Sequence, residues 1–187
     1  MKKRINFFKN FIKDPLKIGS ITPSSRYLAE RMISDINFSS SNIIIEYGPG
    51  EGVFSKKIIE RMSDQSIFIL IELNEDFYRL LKETFKNHKN VYIFNDNVCN
   101  VKSILNSIGK SSADYIVSGI PFSSIPKKTA NKILYVTQEI LTDKGLFITF
   151  QYSKLNKKLF NDRFLNISID KVWKNLPPAN VIKCRHN

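Results

Sequence analysis

The sequence predicts a doubly wound α/β fold on a seven-stranded, mostly parallel sheet closed by an antiparallel pair. Three observations predict it. Short apolar runs alternate with stretches of helical spacing between residues 24 and 151. The first run, Ile43-Ile44-Ile45-Glu46-Tyr47, opens into Gly48-Pro49-Gly50-Glu51-Gly52, where glycines let the backbone turn sharply and approach a ligand with no Cβ in the way. The second, Ile67 to Glu72, ends in a carboxylate 26 positions after Glu46. That spacing fits one strand-helix-strand unit with an acid placed for ribose hydroxyls.

Each element has a local reason. Residues 24–36 read as a helix, because Leu28, Met32 and Ile36 share a face and Ser24, after Pro23, suits a cap. Strand one is 43–47, and Val53, Phe54, Ile58 and Ile59 carry helical spacing on to residue 62. Strand two spans 67–72, a helix follows over 74–87, and strand three is 91–95, ended by Asn95-Asp96-Asn97. Strand four is Ala113-Asp114-Tyr115-Ile116-Val117, followed by a loop from Ser118 to Pro126, a helix over 127–140 and strand five at 145–151. Phe164 to Trp173 and Val181 to Cys184, separated by the turn Asn175-Leu176-Pro177-Pro178, form the closing pair.

The N-terminus has a different character. Residues 1–17 carry Lys2, Lys3, Arg4, Lys9, Lys13 and Lys17 against Asp14 alone, interleaved with Ile5, Phe7, Phe8, Phe11, Ile12 and Leu16. On a helical wheel the apolar side chains fall on one half and the lysines on the other, the pattern of a helix lying in a membrane interface. Anionic lipid would add ~1 kcal/mol per basic residue near its surface. The same stripe could instead pack on the domain core, and a calmodulin-type partner or a nucleic-acid arm would use similar residues. Asp14-Pro15 ends such a helix early.

Composition sets the outer bounds. A chain of 187 residues with 42% apolar content can bury a single core, so one domain is expected over 1–187. It divides into an interfacial helix at 1–13, a helical cover at 14–41, a ligand-binding core at 42–151 and closing strands at 152–187. The apolar runs are too short to span a bilayer and the N-terminus does not read as a secretory signal, so a cytoplasmic location is expected. Cys99 and Cys184 lack metal-type spacing and read as reduced thiols, and no metal ligands are nominated. The formal charge of +12 favours an anionic partner, whether nucleic acid, anionic lipid or an acidic substrate.

In an open parallel sheet, ligands bind beyond the carboxyl ends of the strands. Four loops converge there: Glu46 to Gly52, Glu72 to Asn74, Asn95 to Asn97, and Ser118 to Phe122. Glycines, a ribose-binding carboxylate and the Asp96-Asn97 pair, whose donor and acceptor types suit an adenine edge, would surround an adenosine.

Glu46-Tyr47-Gly48-Pro49-Gly50-Glu51-Gly52, Glu72-Leu73-Asn74, Asp96-Asn97 and the loop after strand four resemble the class I, Rossmann-like methyltransferases that use S-adenosylmethionine. That resemblance covers residues 42–151. A narrower one spans nearly the whole chain. Ile18-Gly19-Ser20-Ile21-Thr22-Pro23-Ser24-Ser25, Ser118-Gly119-Ile120-Pro121-Phe122-Ser123-Ser124-Ile125-Pro126 and Asn175-Leu176-Pro177-Pro178-Ala179 are similar to the bacterial phospholipid N-methyltransferases. It implies methylation of phosphatidylethanolamine and its methylated derivatives towards phosphatidylcholine, by an enzyme peripheral to the inner face of the cell membrane and in contact with anionic lipid.

The ribosomal RNA adenine dimethyltransferases are a rival resemblance, with a nucleic-acid acceptor. Their strand-four loop reads Asn-Leu/Ile-Pro-Tyr/Phe, whereas Ser118 and Gly119 precede Ile120-Pro121-Phe122 here, so the amide that would orient an adenine amino group is missing. A non-catalytic module that only binds S-adenosylmethionine is the third reading. The resemblance assigns the cofactor, and its product S-adenosylhomocysteine, to Glu46, Tyr47, Gly48, Gly50, Gly52, Glu72, Leu73, Asp96, Asn97, Ser118 and Gly119. Tyr27, Ser118 and Ser123 are nominated as groups orienting the acceptor near the methyl. Lys127, Lys128 and Arg185 could meet a lipid phosphate, and His88 reads as a surface residue.

Overall fold

The computed structural model describes residues 23–152 and 157–185. The elements run α1 (Pro23–Ile33), β1 (Ile43–Tyr47), α2 (Val53–Ile59), β2 (Ile67–Ile71), α3 (Glu75–Thr84), β3 (Val91–Phe94), α4 (Val101–Ser107), β4 (Ala113–Ser118), α5 (Lys127–Ile140), β5 (Leu141–Gln151), α6 (Lys157–Asn161), β6 (Asn166–Val172) and β7 (Ala179–Arg185). The amphipathic stretch at 1–13 and the motif residues 18–22 lie outside the described residues.

The seven strands lie in the order β3-β2-β1-β4-β5-β7-β6. β1 to β5 are parallel, while β7 runs antiparallel to both β5 and β6. The predicted fold class is the observed one. Because the chain leaves β1 towards β2 on one side and returns to β4 on the other, the sheet order reverses between β1 and β4. Their carboxyl ends, Tyr47 and Ser118, pair directly at the crevice where such sheets bind ligands.

Alternate residues of each central strand face opposite layers. Ile45, Tyr47, Ile69, Ile71, Ile116 and Phe147 pack with residues of α4, α5 and α6, and Ile44, Phe68, Leu70, Val117 and Ile148 pack with residues of α1 and α3. All five residues of β1 are buried, as a central parallel strand covered on both faces requires. Asn74 caps α3 by accepting from the backbone N–H groups of Asp76 (2.9 Å) and Phe77 (3.1 Å), with Glu75 and Asp76 in the first turn to complement the helix dipole.

Several boundaries differ from the sequence expectation. The stretch after Asn97, read only as the end of a strand, forms a 3₁₀ turn at Val98–Asn100 and then α4, whose Val101, Ile104 and Leu105 are buried. α6 is also additional. α1 ends at Ile33, and Ile36 is still buried through a turn in which its N–H donates to the Ile33 carbonyl at 3.1 Å. β5 starts at Leu141, although its register with β4 is irregular until Leu146 meets Tyr115. β6 starts at Asn166 because Phe164 is instead buried, stacked on Phe147 with ring centroids 5.9 Å apart.

One ionic cluster ties α1 to the closing strands. The Lys183 ammonium, on a side chain only 8% exposed, pairs with Asp35 after α1 and with Asp170 of β6 (2.7 Å to the latter). Arg31 pairs with the same two carboxylates. Burial is the largest single influence on Asp35 and Asp170 and opposes their ionisation, but the hydrogen bonds and charges of Lys183 and Arg31, with the Ser34 hydroxyl at Asp35, together outweigh it and hold both carboxyls below the ordinary aspartate range.

Candidate functional site

The glycine turn is fixed from three sides. The Gly48 N–H donates to the Ile71 carbonyl and the Gly119 N–H to the Tyr47 carbonyl, both at 2.9 Å. The Gly50 N–H donates to Oε2 of Glu72 at 3.0 Å. Gly50 holds a φ of +56°, in the left-handed region that glycine enters without cost. Gly119 is glycine for a different reason: a Cβ there would sit 2.7 Å from the Gly48 carbonyl oxygen. The turn and the strand-four loop therefore touch backbone to backbone.

Glu72 stands just past the tip of β2, 3% exposed. Its Oε1 accepts from the Asn74 N–H at 2.8 Å, and its main-chain carbonyl accepts from the Asn95 side-chain amide at 2.9 Å. Burial raises its pKa, while the N–H groups of Asn74 and Gly50 act in the opposite direction. With one backbone donor on each oxygen, the carboxylate keeps lone pairs for the two hydroxyls of a ribose.

Glu46 is entirely buried beneath α2. Its Oε2 accepts from the Ser55 hydroxyl at 2.6 Å, and its Oε1 has no partner among the described residues. Burial pushes its pKa up to about 8, the Ser55 hydrogen bond works against the rise, and the nearby Glu72 charge adds to it. A buried carboxyl with an orphaned oxygen is costly unless a ligand completes it. A cationic group would do so, and would draw the carboxyl into its charged form.

The other nominated residues are placed as follows. Ser118 is fully buried, its Oγ accepting from the Ile120 N–H at 3.2 Å and its carbonyl accepting from the Thr149 hydroxyl at 3.2 Å. Asp96 Oδ1 accepts from the Asn97 N–H (2.6 Å) and the Asn100 amide (2.8 Å), and Asn97 Oδ1 accepts from the Cys99 N–H at 2.9 Å. The Asp96-Asn97 pair thus spends some of its capacity holding the turn into α4. Leu73 is 58% exposed beside Glu72.

Two placements, those of Tyr47 and Arg185, depart from the expectation. The Tyr47 side chain points into the core, where burial raises its pKa and the Thr137 hydroxyl lies 3.5 Å from its phenol. Only its backbone borders the turn. Tyr27 lines an open groove with α1 and β6–β7 loop residues, the Lys174 ammonium 5.1 Å above its ring. Ser123 is exposed, as are Lys127 and Lys128 at the start of α5. Arg185 closes β7 opposite Leu146 and Asn166, on the sheet edge away from the glycine turn, where it reaches the Lys144 carbonyl at 3.4 Å. It is removed from any lipid phosphate bound at the site.

Sequence reading did not find Ser55 or Thr149, and it placed Asn95 in a converging loop without its bond to the Glu72 carbonyl. Ser55 lies in a helix pattern that gives no hint it bonds a strand carboxylate, and Asn95 and Thr149 act through backbone carbonyls that a sequence does not display.

Comparison with known proteins gives a consistent picture. A family model described as ribosomal RNA adenine dimethylase matches residues 1–162. An ornithine lipid N-methyltransferase from Singulisphaera acidiphila is 30% identical over 190 residues, covering 99% of this chain and 97% of that protein. A ribosomal RNA small subunit methyltransferase A from Mycoplasma capricolum is 27% identical over 147 residues, and the match spans 72% of this chain but 47% of the relative. Among solved structures, the N-methyltransferase NodS from Bradyrhizobium japonicum superposes with a TM-score of 0.70 at 9% identity, covering 88% of this chain and 97% of that one. A precorrin-6y C5,15-methyltransferase from Geobacter metallireducens gives 0.65 at 12% identity, covering 86% and 88%. These two likenesses are of fold.

Proposed function

The chain belongs to the ribosomal RNA adenine dimethylase family and is an S-adenosylmethionine-dependent methyltransferase, and from that premise we propose that it methylates the amine of a membrane lipid. The end-to-end likeness to a lipid N-methyltransferase carries this reading. The strand-four loop supports it. Gly119 stands where the loop of the ribosomal RNA enzymes would carry its asparagine, so no side-chain amide is present immediately before Ile120-Pro121-Phe122 to hold an adenine amino group. A Cβ there would sit 2.7 Å from the Gly48 carbonyl oxygen.

The residues fit the cofactor. Glu72 would accept the ribose hydroxyls, the glycine turn would lie against the methionine end, and the free Oε1 of Glu46 would face a cation. Bound there, S-adenosylmethionine supplies a methyl group on a positively charged sulfur. The acceptor must arrive as a free amine, since an ammonium has no lone pair. The amine nitrogen would take the methyl, the N–C bond forming as the C–S bond breaks, and the charge gained by a primary amine would leave as a proton to water. Aligning nitrogen, methyl and sulfur contributes several kcal/mol, so a strong base is unnecessary. The loop Ser118-Gly119-Ile120, with Ser118 and Ile120 buried and Thr149 bracing the Ser118 carbonyl, would orient the amine.

Phosphatidylethanolamine and an ornithine lipid both present a primary amine, and both are candidate acceptors. The basic stretch at 1–13 would hold the protein peripherally at the inner face of the cell membrane. The test is to incubate the protein with methyl-labelled S-adenosylmethionine and, separately, phosphatidylethanolamine vesicles, ornithine-lipid vesicles and small-subunit ribosomal RNA. Label in either lipid supports the proposal and names the head group. Label confined to RNA overturns it, and cofactor binding without any labelled acceptor would identify a binding module. Removing residues 1–13 should weaken binding to anionic vesicles while S-adenosylhomocysteine still binds.

A further inference from the structure

We infer that the β6–β7 loop is a lipid-docking element in which Trp173 and Leu176 enter the surface of an anionic membrane while Lys171 and Lys174 meet its phosphates; this rests on the lipid reading above. Four observations carry it. First, two large apolar side chains project from one short loop, Trp173 being 70% and Leu176 80% exposed. Second, the loop is held in that presentation. The Asn175 side chain, 4% exposed in its residue, donates to the Pro177 carbonyl at 2.7 Å, and its N–H reaches the Val172 carbonyl at 3.3 Å. Exposure here is built in.

Third, the surrounding charge is positive. Trp173, Tyr27, Arg31, Lys171 and Lys174 line an open groove of about 490 Å³; Arg31 is paired with Asp35 and Asp170, and the one carboxylate of the lining, Glu30, with Lys57 and Arg61, which leaves the two lysines as the groove's uncompensated charge. Neither Lys171 nor Lys174 forms an ion pair among the described residues. An indole flanked by lysines matches the head-group layer, where amphipathic rings reside and each basic residue is attracted to anionic lipid. Fourth, the loop lies at the same sheet edge as the glycine turn. Val172 pairs with Ala179 and Asn180 with Gln151, so the β6–β7 connection sits at the carboxyl end of β5. A membrane met there faces the methyl-transfer site.

A single-stranded nucleic acid would also use aromatic and basic residues. The observations favour lipid. One face of the indole is occupied by the Lys171 ammonium, 3.7 Å from the ring centroid, and Leu176 has no aromatic surface for a base to stack on.

Trp173 is the chain's single tryptophan, so its fluorescence reports this loop alone. The full chain is titrated with equimolar phosphatidylglycerol–phosphatidylcholine vesicles, with the same vesicles carrying bromine-labelled acyl chains, and with a short single-stranded RNA. The expected result is a blue shift on vesicles and quenching by the brominated chains. Leu176→Asp, at an exposed position, should weaken vesicle affinity about tenfold or more and leave S-adenosylhomocysteine affinity unchanged. Vesicle binding with unshifted emission, no vesicle binding, wild-type vesicle affinity in Leu176→Asp, or a response to RNA alone would each overturn the inference. Methyl transfer to detergent-solubilised lipid separates the two readings. Transfer with unshifted Trp173 emission sinks the docking loop only, and insertion without transfer to any lipid sinks the methylation reading only.

Discussion

The backbone N–H of Gly50 donates to Oε2 of Glu72, so the glycine turn after β1 and the carboxylate after β2 are one hydrogen-bonded unit before any ligand arrives. Glu72 therefore has two tasks, bracing the turn and accepting ribose hydroxyls. Glu72→Ala removes both. Hydrogen bonds to a charged acceptor contribute about 1.5–3 kcal/mol, so S-adenosylhomocysteine affinity should fall about 10- to 100-fold by calorimetry. Wild-type affinity would show that Glu72 does not hold the ribose.

Glu46 makes the protein pH-sensitive in a definite direction. Its carboxyl ordinarily titrates near 4.5, and burial pushes it up to about 8 in the folded chain. The folded state thus binds more protons than the unfolded state between these values, and stability must decline as pH rises through that window. The melting temperature should fall from pH 6 to pH 9, each ~1 kcal/mol being about 2–4 °C for a chain of this size. Glu46→Gln should flatten the decline. A cationic cofactor favours the carboxylate, so S-adenosylmethionine binding should release protons near pH 7, seen as a binding heat that depends on buffer ionisation. A heat that does not depend on the buffer would separate Glu46 from the cofactor.

Gly119 and Gly50 should fail differently when replaced. Gly119→Ala sets a Cβ 2.7 Å from the Gly48 carbonyl oxygen, and relieving such overpacking typically costs about 1–3 kcal/mol. Melting temperature and cofactor affinity should drop together, because the glycine turn has to move. At Gly50 an added Cβ meets nothing within 4 Å, and the folded state bears only the left-handed backbone cost of about 1–2 kcal/mol. Gly50→Ala should therefore lose more affinity than stability, its Cβ projecting into space the ligand needs. A wild-type melting temperature in Gly119→Ala would contradict the close contact there.

The strands and the site's framework were legible in the sequence because both are local. Ile43 to Ile45 and Ile67 to Ile71 are apolar runs with no polar face, and the carboxylates and glycines stand at the ends of such runs. What escaped was nonlocal or weakly patterned. α4 buries three apolar residues within seven, too short a repeat to stand out after Asn95-Asp96-Asn97. Tyr47 sits inside the motif, yet strand alternation sends its ring to the core. The groove that Tyr27 lines is completed by a loop almost 150 residues further on, which no local pattern announces.

Lys183 gives the last prediction. It interrupts the apolar stretch Val181-Ile182-Lys183-Cys184, and its ammonium is buried against Asp35 and Asp170. Removing one partner of a buried pair costs about 3–5 kcal/mol, because the other charge is stranded. Here both aspartate side chains are 35% exposed, so water reaches them and Arg31 still pairs with both. Lys183→Met should therefore cost less, about 1–3 kcal/mol. The acid limb carries a sharper signature. Because Lys183 is the main group among those that hold both carboxyls below their ordinary range, its contribution is present above about pH 4 and is lost as pH falls towards the folded-state values. Wild type should lose stability more steeply than Lys183→Met below that pH, and the two denaturation curves should converge. Parallel curves would mean that the cluster contributes through packing of the lysine stem and not through its charge.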